Sequence, residues 1–243
     1  RAVRKALRLK DMKAVYSDFG TRRRFSFDVQ DKVIGLLKKN SGRFFSGTSN
    51  VCLAMKHNLT PIGTHPHEWF MFYASQFGYR SANARALDAW VEVYKGDLGI
   101  ALSDTFTSDD FFRSFSRLHA KLFDGMRHDS GDPVAFTDKA LAYYRRNGID
   151  PSTKTIVFSD ALNPDLIEKI KKHVKGRIHD VYGIGTYLTN DVGVKPLNIV
   201  IKMVGARLSR SDNYHPVIKL SDDPRKYTGD PDEIELCKKI VEL

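Results

Sequence analysis

Cysteine is nearly absent: Cys52 and Cys237 are the two in 243 residues. That excludes a disulfide framework and a cysteine-based zinc site. No apolar run approaches the ~20 residues needed to cross a bilayer, and no signal peptide pattern precedes the first strand. There is no internal repeat and no low-complexity tract. A cytoplasmic globular protein is therefore expected, with no membrane partner. Acidic residues are also short, 29 against 39 lysines and arginines, which leaves a formal net charge of +10. Much of the excess lies in blocks, from Arg1 to Lys10, at Arg22-Arg23-Arg24, at Lys171-Lys172 and at Lys238-Lys239. Such blocks are solvated faces or attract polyanions. Composition alone does not choose between nucleic acid and a pyrophosphate-bearing small molecule. The opening reads as the tail of a basic helix without an initiator methionine, so a C-terminal fragment of a longer protein is expected.

What is present is an alternation of short apolar runs with amphipathic stretches. Strands are expected at Lys13 to Asp18, at Phe44 to Ser46, before Gly63, at Leu98 to Leu102, before Arg127, at Thr155 to Phe158 and at Arg177 to Tyr182. Helices are expected to start at Asp28, through Leu53 and Met55, from Trp69 to Tyr94 with a break near Gly78, at Ser108, near Val134 and at Asn163-Pro164. The first carries an apolar face of Val33, Ile34, Leu36 and Leu37. The Leu87, Trp90, Val91 and Tyr94 stripe has helical spacing and reads as core. The Ser108 helix carries Phe111, Phe112, Phe115 and Leu118. This order predicts a parallel α/β fold, an irregular, incomplete TIM-like α/β barrel over residues 1–195. After Asp191, Leu197 to Val204 and Pro216 to Leu220 read as a hairpin, followed by a helix from Ile234 to Leu243. Residues 196–243 are thus expected to belong to a second, smaller α/β domain.

Polar residues fall just after the strands: Asp18, Thr48, His67, Asp104, Asp129, Asp160 and Gly183. In barrels and doubly wound sheets alike these positions form the active-site rim. Arg127 to Pro133 joins a cation, two carboxylates and a flexible turn. An arginine grips phosphate or carboxylate in a planar fork, and carboxylates accept sugar hydroxyls or help hold Mg²⁺. The same stretch also has the signals of a helix start. Gly183-Ile-Gly-Thr186 offers backbone N–H groups to a phosphate. Together, these features suit a ribose 5-phosphate. His65 and His67 are candidates for a base or a nucleophile that takes a phosphoryl group; no third ligand stands at a zinc-like spacing.

In combination the motifs Asp18-Phe-Gly-Thr-Arg-Arg-Arg-Phe25, Gly47-Thr-Ser-Asn50, Gly63-Thr-x-x-His-Glu-Trp-Phe70, Arg127-His-Asp-Ser-Gly-Asp-Pro133, Phe158-Ser-Asp160, Gly183-Ile-Gly-Thr186 and Val194-Lys-Pro-Leu-Asn-Ile-Val200 resemble nicotinate phosphoribosyltransferase, in that family's order. The resemblance implies a type II phosphoribosyltransferase, usually a homodimer. Such enzymes join nicotinate to phosphoribosyl pyrophosphate, releasing pyrophosphate and forming nicotinate mononucleotide for NAD salvage. It implies ATP as co-substrate, coupled through a phosphohistidine at His67, and Mg²⁺. By resemblance Asp129 and Asp160 face the ribose, and Gly183, Gly185 and Thr186 hold the 5-phosphate. Arg127 lies near the nicotinate or the pyrophosphate, Arg22, Arg23 and Arg24 near the pyrophosphate, and Asp18 beside the pyridine ring, with Thr48 and Ser130 completing the substrate set. Asp104, ending the next strand, is the expected acceptor for the second nitrogen of His67. The family's N-terminal portion is absent, so the 243 residues alone are expected to be inactive.

Two sister reactions compete, on nicotinamide and on quinolinate. Quinolinate calls for extra cations and no phosphohistidine. A basic nucleic-acid-binding module is the reading from another class. It predicts exposed aromatics interleaved with basic residues, whereas the aromatics here sit on stripes that read as core.

Overall fold

A computed structural model describes residues 1–243. In chain order the elements are α1 (Ala2–Asp11), β1 (Val15–Asp18), α2 (Phe27–Ser41), β2 (Phe45–Thr48), α3 (Val51–His57), β3 (Thr60–Pro61), α4 (His67–Phe77), α5 (Tyr79–Tyr94), β4 (Ile100–Leu102), α6 (Ser108–Ser114) and α7 (Arg117–Leu122). They continue with β5 (Gly125–His128), α8 (Pro133–Arg146), β6 (Thr155–Phe158), α9 (Pro164–Val174), β7 (His179–Ile184), α10 (Thr186–Thr189), β8 (Gly205–Ala206), β9 (His215–Pro216) and α11 (Pro231–Ile240). Two compact units divide the chain, residues 1–63 with 155–200, and residues 64–154 with 201–243.

In the first unit five strands run in the order β3-β2-β1-β7-β6, and the pairs are parallel. Parallel strands need helical crossovers that cover both faces, and the sequence supplies them with clear stops and starts. Ser26 caps α2 by accepting from Val29 N–H; the cap is Ser26, two residues before the expected Asp28. Asn163 caps α9 through Asp165 and Leu166 N–H, with Pro164 in the first turn. The core of this unit is Tyr16, Ile34, Leu37, Leu53, Phe158, Ile167, Tyr182 and Ile184, all sealed from solvent. Leu36, expected on the apolar face of α2, points outward instead.

In the second unit β4 and β5 pair in parallel, and β8 and β9 form a two-residue antiparallel pair. Gly78, at φ +76°, separates α4 from α5 as expected. Asp132 caps α8 and Pro133 opens it, as that stretch predicts. The core holds Phe70, Met71, Leu87, Phe106, Phe111, Phe123, Met126, Tyr144, Ile218 and Leu220.

The structure corrects several expectations here. Only Leu87 of the α5 stripe is buried; the helix packs through Ala82, Asn83 and Ala86, where small side chains permit close approach. The cap of α6 is Thr107, and the helix ends at Ser114, so Leu118 lies on α7 and is exposed. Residues 197–204 form no strand despite their β-branched run, and Leu197, Ile201 and Val204 are exposed. The terminal helix starts at Pro231, capped by Asp230, rather than at Ile234. Parallel strand pairs within each unit, five strands in the first and two in the second, with intervening helices, are of the α/β class that the alternation predicts. No helix is long and apolar enough to cross a membrane.

Candidate active site

In the first unit the polar centre is Asp18 at the end of β1. Its carboxylate is fully buried and accepts three hydrogen bonds, from Gly20 N–H at 2.8 Å, Gln30 Nε2 at 2.7 Å and Thr48 Oγ1 at 2.8 Å. Burial pushes its pKa up, while the bonds from Thr48 and Gln30 oppose the rise. Asp18 and Thr48 therefore anchor the arginine loop. The loop is tied again by Thr189 Oγ1 donating to Gly20 O at 2.9 Å, by Asn190 Nδ2 donating to Arg23 O at 2.8 Å, and by Phe25 N–H donating to Thr189 O. Arg24 donates to Gln30, Arg23 to Ile199 O, and Arg22 is exposed. Gln30 and Thr189 were missed by sequence reasoning, because neither has a motif that marks it.

Gly183 lies inside β7, paired with Ser17, rather than in the loop after it. Its missing side chain makes room for Phe19, whose ring carbon would sit 2.7 Å from an added Cβ. Gly183→Ala is expected to destabilise the fold by about 1–3 kcal/mol through overpacking, measurable by urea unfolding; an unchanged midpoint would show that Phe19 moves freely. Gly185 precedes α10, where an added Cβ meets only ordinary contacts, and Thr186 opens the helix. Asp160 lies just beyond β6, half-buried.

In the second unit the centre is His67, the first residue of α4, almost wholly buried. Its Nε2 lies 3.1 Å from Asp129 Oδ2 and 3.9 Å from Asp104 Oδ1, and its Nδ1 lies 3.1 Å from Thr105 Oγ1. The hydrogen-bonded carboxylate is thus Asp129, not the expected Asp104. A carboxylate can only accept, so Nε2 carries the proton and Nδ1 keeps its lone pair, facing the Thr105 hydroxyl. Burial lowers the His67 pKa against the opposing pull of Asp129 and Asp104, so the ring is neutral at pH 7.

Arg127, within β5, donates to Asp129 Oδ1 at 2.8 Å and to Thr64 Oγ1 at 2.9 Å. Ser130 donates to Asp104 Oδ2 at 2.5 Å. Lys219, which the sequence reading did not single out, places its buried Nζ 3.6 Å from the same oxygen. The signal for it was a lone charge in the apolar run Val217-Ile218-Lys219-Leu220, whose other three members are buried. The facing atoms of His67, Asp104 and Asp129 lie within 4.8 Å of one another. Nonetheless Lys219 already faces Asp104 and Arg127 already faces Asp129, so this donor set does not fit a cation held by protein alone.

His65 is buried with neither ring nitrogen hydrogen-bonded, among the rings of Phe70, Trp90 and Phe123. Burial, with Arg127 adding, lowers its pKa from 6.5 to about 3. The unfolded chain takes up this proton below pH 6.5 and the folded chain does not until about pH 3. Stability contributed by neutral His65 is therefore complete above pH 6.5 and falls by up to ~1.4 kcal/mol per pH unit across that window. His65→Leu is expected to flatten the loss of unfolding free energy between pH 7 and 4; an unchanged slope would assign the acid sensitivity to other groups.

The nicotinate phosphoribosyltransferase (NAPRTase) family profile matches residues 15–242. The chain is 59% identical to nicotinate phosphoribosyltransferase of Chromohalobacter salexigens over 227 residues, covering 93% of this chain and 58% of that protein. It is similar to the crystal structure of nicotinate phosphoribosyltransferase from Porphyromonas gingivalis, with 47% identity and a TM-score of 0.97 over 100% of this chain and 63% of that one. A Vibrio cholerae structure of the same name gives 36% identity and a TM-score of 0.90, covering 99% of this chain and 59% of that one. The chain thus spans less than two thirds of the length of these relatives.

Proposed function

Because the chain belongs to the nicotinate phosphoribosyltransferase family, we propose that the protein it comes from joins nicotinate to phosphoribosyl pyrophosphate, forming nicotinate mononucleotide and pyrophosphate for NAD salvage, with ATP hydrolysis coupled through a phosphohistidine at His67. The observation that carries the coupling is the buried neutral His67, with its Nε2 proton held by Asp129 and its lone pair left at Nδ1.

In this reading Nδ1 attacks the γ-phosphorus of ATP. One P–N bond forms, the bond from phosphorus to the bridging oxygen breaks, and ADP leaves. Asp129 holds the Nε2 proton throughout and steadies the positive charge that grows on the ring. Hydrolysis of the phosphoramidate restores the free histidine. At the ribosyl centre the bond from C1 to pyrophosphate breaks as the ring nitrogen of nicotinate attacks, so cationic character builds on the sugar and negative charge on the leaving group. By the family resemblance Asp160 and Asp129 serve the ribose, and Gly185 and Thr186 its 5-phosphate, while Gly183, inside β7, makes room for Phe19 behind them. The arginine loop and Arg127 serve pyrophosphate and the nicotinate carboxylate, since guanidinium groups bind both in a bidentate way. Asp18 and Thr48 act by holding that loop, and Ser130 by holding Asp104. Mg²⁺ would be held by the phosphates of phosphoribosyl pyrophosphate and ATP rather than by the protein acids, and would offset the phosphate charge. A cytoplasmic homodimer is the expected form, and the 243 residues by themselves are expected to be inactive.

The test is conversion of labelled nicotinate by the full-length protein with phosphoribosyl pyrophosphate and Mg²⁺, with and without ATP. Turnover that rises with ATP supports the reading. Turnover on nicotinamide or quinolinate instead, with none on nicotinate, would overturn the choice of base.

A further inference from the structure

The chain between Lys219 and Thr228 forms a closed strap over the acids around His67. Its neck is an antiparallel bridge, Lys219 N–H to Thr228 O and Thr228 N–H to Lys219 O, each 2.9 Å. Just outside the neck, Gly229 lies against Ile218, at φ +123°, where an added Cβ would fall 2.4 Å from the isoleucine side chain. From this strap come Lys219 to Asp104, Ser221 Oγ to Asp104 Oδ2 at 3.4 Å, and Lys226 Nζ to Asp129 O at 3.1 Å. At its centre Asp222 makes two fixed contacts. Its Oδ1 accepts from Ser108 N–H at the start of α6, 2.7 Å, and its own N–H donates to Ser130 Oγ, 3.0 Å. Gly131 packs against it so closely that an added Cβ would lie 3.0 Å from the Asp222 Cβ.

We propose that Asp222 is a positioning residue: it latches the 219–228 strap onto α6 and the Ser130 turn, and so holds the Lys219 ammonium against Asp104, where it keeps His67 neutral and ready to accept a phosphoryl group. The latch rests on the reading of His67 as that acceptor. The physical reason is local charge. His67 is faced by Asp104 after β4, by Asp129 and Arg127 from β5 and its turn, by Glu68 on its own helix with Lys202 paired to it, and by Lys219 and Lys226 of the strap. Both Asp104 and Asp129 favour a protonated ring, and Lys219 opposes them. Released from the latch, Lys219 would return to water, which its buried ammonium already favours on desolvation grounds. Asp104 would then stand unopposed beside the imidazole, and the neutral, nucleophilic form would be depleted.

The test is a ¹³C/¹⁵N NMR titration of His67, assigned by comparison with His67→Ala, in the unphosphorylated full chain. Asp222→Ala and Lys219→Met are each expected to move the His67 midpoint to higher pH, and the double variant to move it no further than Lys219→Met alone. Asp222→Asn keeps the acceptor for Ser108 N–H and is expected to show no upward movement. The sign discriminates, because mere loss of a negative charge at 222 would move the midpoint down. An unchanged or lowered midpoint in Asp222→Ala, or additivity with Lys219→Met, would overturn the latch. If Asp222→Ala does not fold, Asp222→Ser, too short to reach Ser108 N–H, is judged by the same outcomes. Labelling of His67 from ATP is measured separately, so failure of the phosphohistidine reading shows as absent label while the latch is still scored by the titration.

Discussion

In the full-length protein, His67→Ala is expected to abolish acid-labile labelling from γ-labelled ATP and to remove the ATP response of mononucleotide formation, leaving only an ATP-independent rate. The expectation follows from the tautomer. With Asp129 Oδ2 3.1 Å from Nε2 and the Thr105 hydroxyl 3.1 Å from Nδ1, one nitrogen is a donor and the other has the free electron pair. Burial removes competing water and keeps the ring unprotonated. The phosphoryl group is thus expected on Nδ1, a regiochemistry that ³¹P NMR of the denatured phosphoprotein can read. Label that survives in His67→Ala would move the phosphoryl site elsewhere, and label on Nε2 would mean that the ring reverses before it reacts.

The second large effect is expected at Asp129. One oxygen faces His67 and the other takes the Arg127 guanidinium at 2.8 Å. Both neighbours are donors, and asparagine has one acceptor oxygen and one N–H₂. Whichever way the amide turns in Asp129→Asn, a donor meets a donor. If the ring responds by placing its proton on Nδ1, the lone pair moves to the wrong side. In a serine-protease triad the comparable change costs about 10⁴ in turnover; here a fall on the order of 10³ to 10⁴ in the rate of His67 labelling is expected, with the thermal midpoint little changed. A rate within a few-fold of the unaltered protein would mean that Asp104, at 3.9 Å, takes over the orienting role.

The alternation of strand and helix was legible because its signals are local. Asp132-Pro133 and Asn163-Pro164 announce helix starts through cap chemistry that involves a few adjacent residues, and both do so in the structure. The stretch 197–204 shows the limit of that kind of reading. Its β-branched residues suit a strand, but a strand needs a partner, and pairing is not written in one segment. The α5 stripe failed for a related reason: helical spacing defines faces, and the surrounding elements decide which face is buried. At the candidate site, residue types were legible and pairings were not. Asp104 and Asp129 both end strands, and only their placement selects Asp129 for His67. Lys219 lies 115 positions after Asp104, beyond the reach of any spacing argument. Gly183 had the right residue type for a phosphate loop, yet its bare α-carbon is filled by Phe19 within a strand.

The Asp18 anchor bears on how an anion is captured. Three guanidinium-bearing residues follow one another on a short turn whose beginning is fastened by a sealed carboxylate and whose end is fastened by Thr189 and Asn190. Such a turn behaves as a preassembled electrode rather than as a tether. Its backbone was immobilised when the chain folded, so the entropy of arranging positive charge is not lost again on each encounter. On the proposed reading of this loop as the pyrophosphate site, arrival of that anion is governed by long-range attraction. Its association rate should slow as ionic strength rises, and its departure should depend far less on salt.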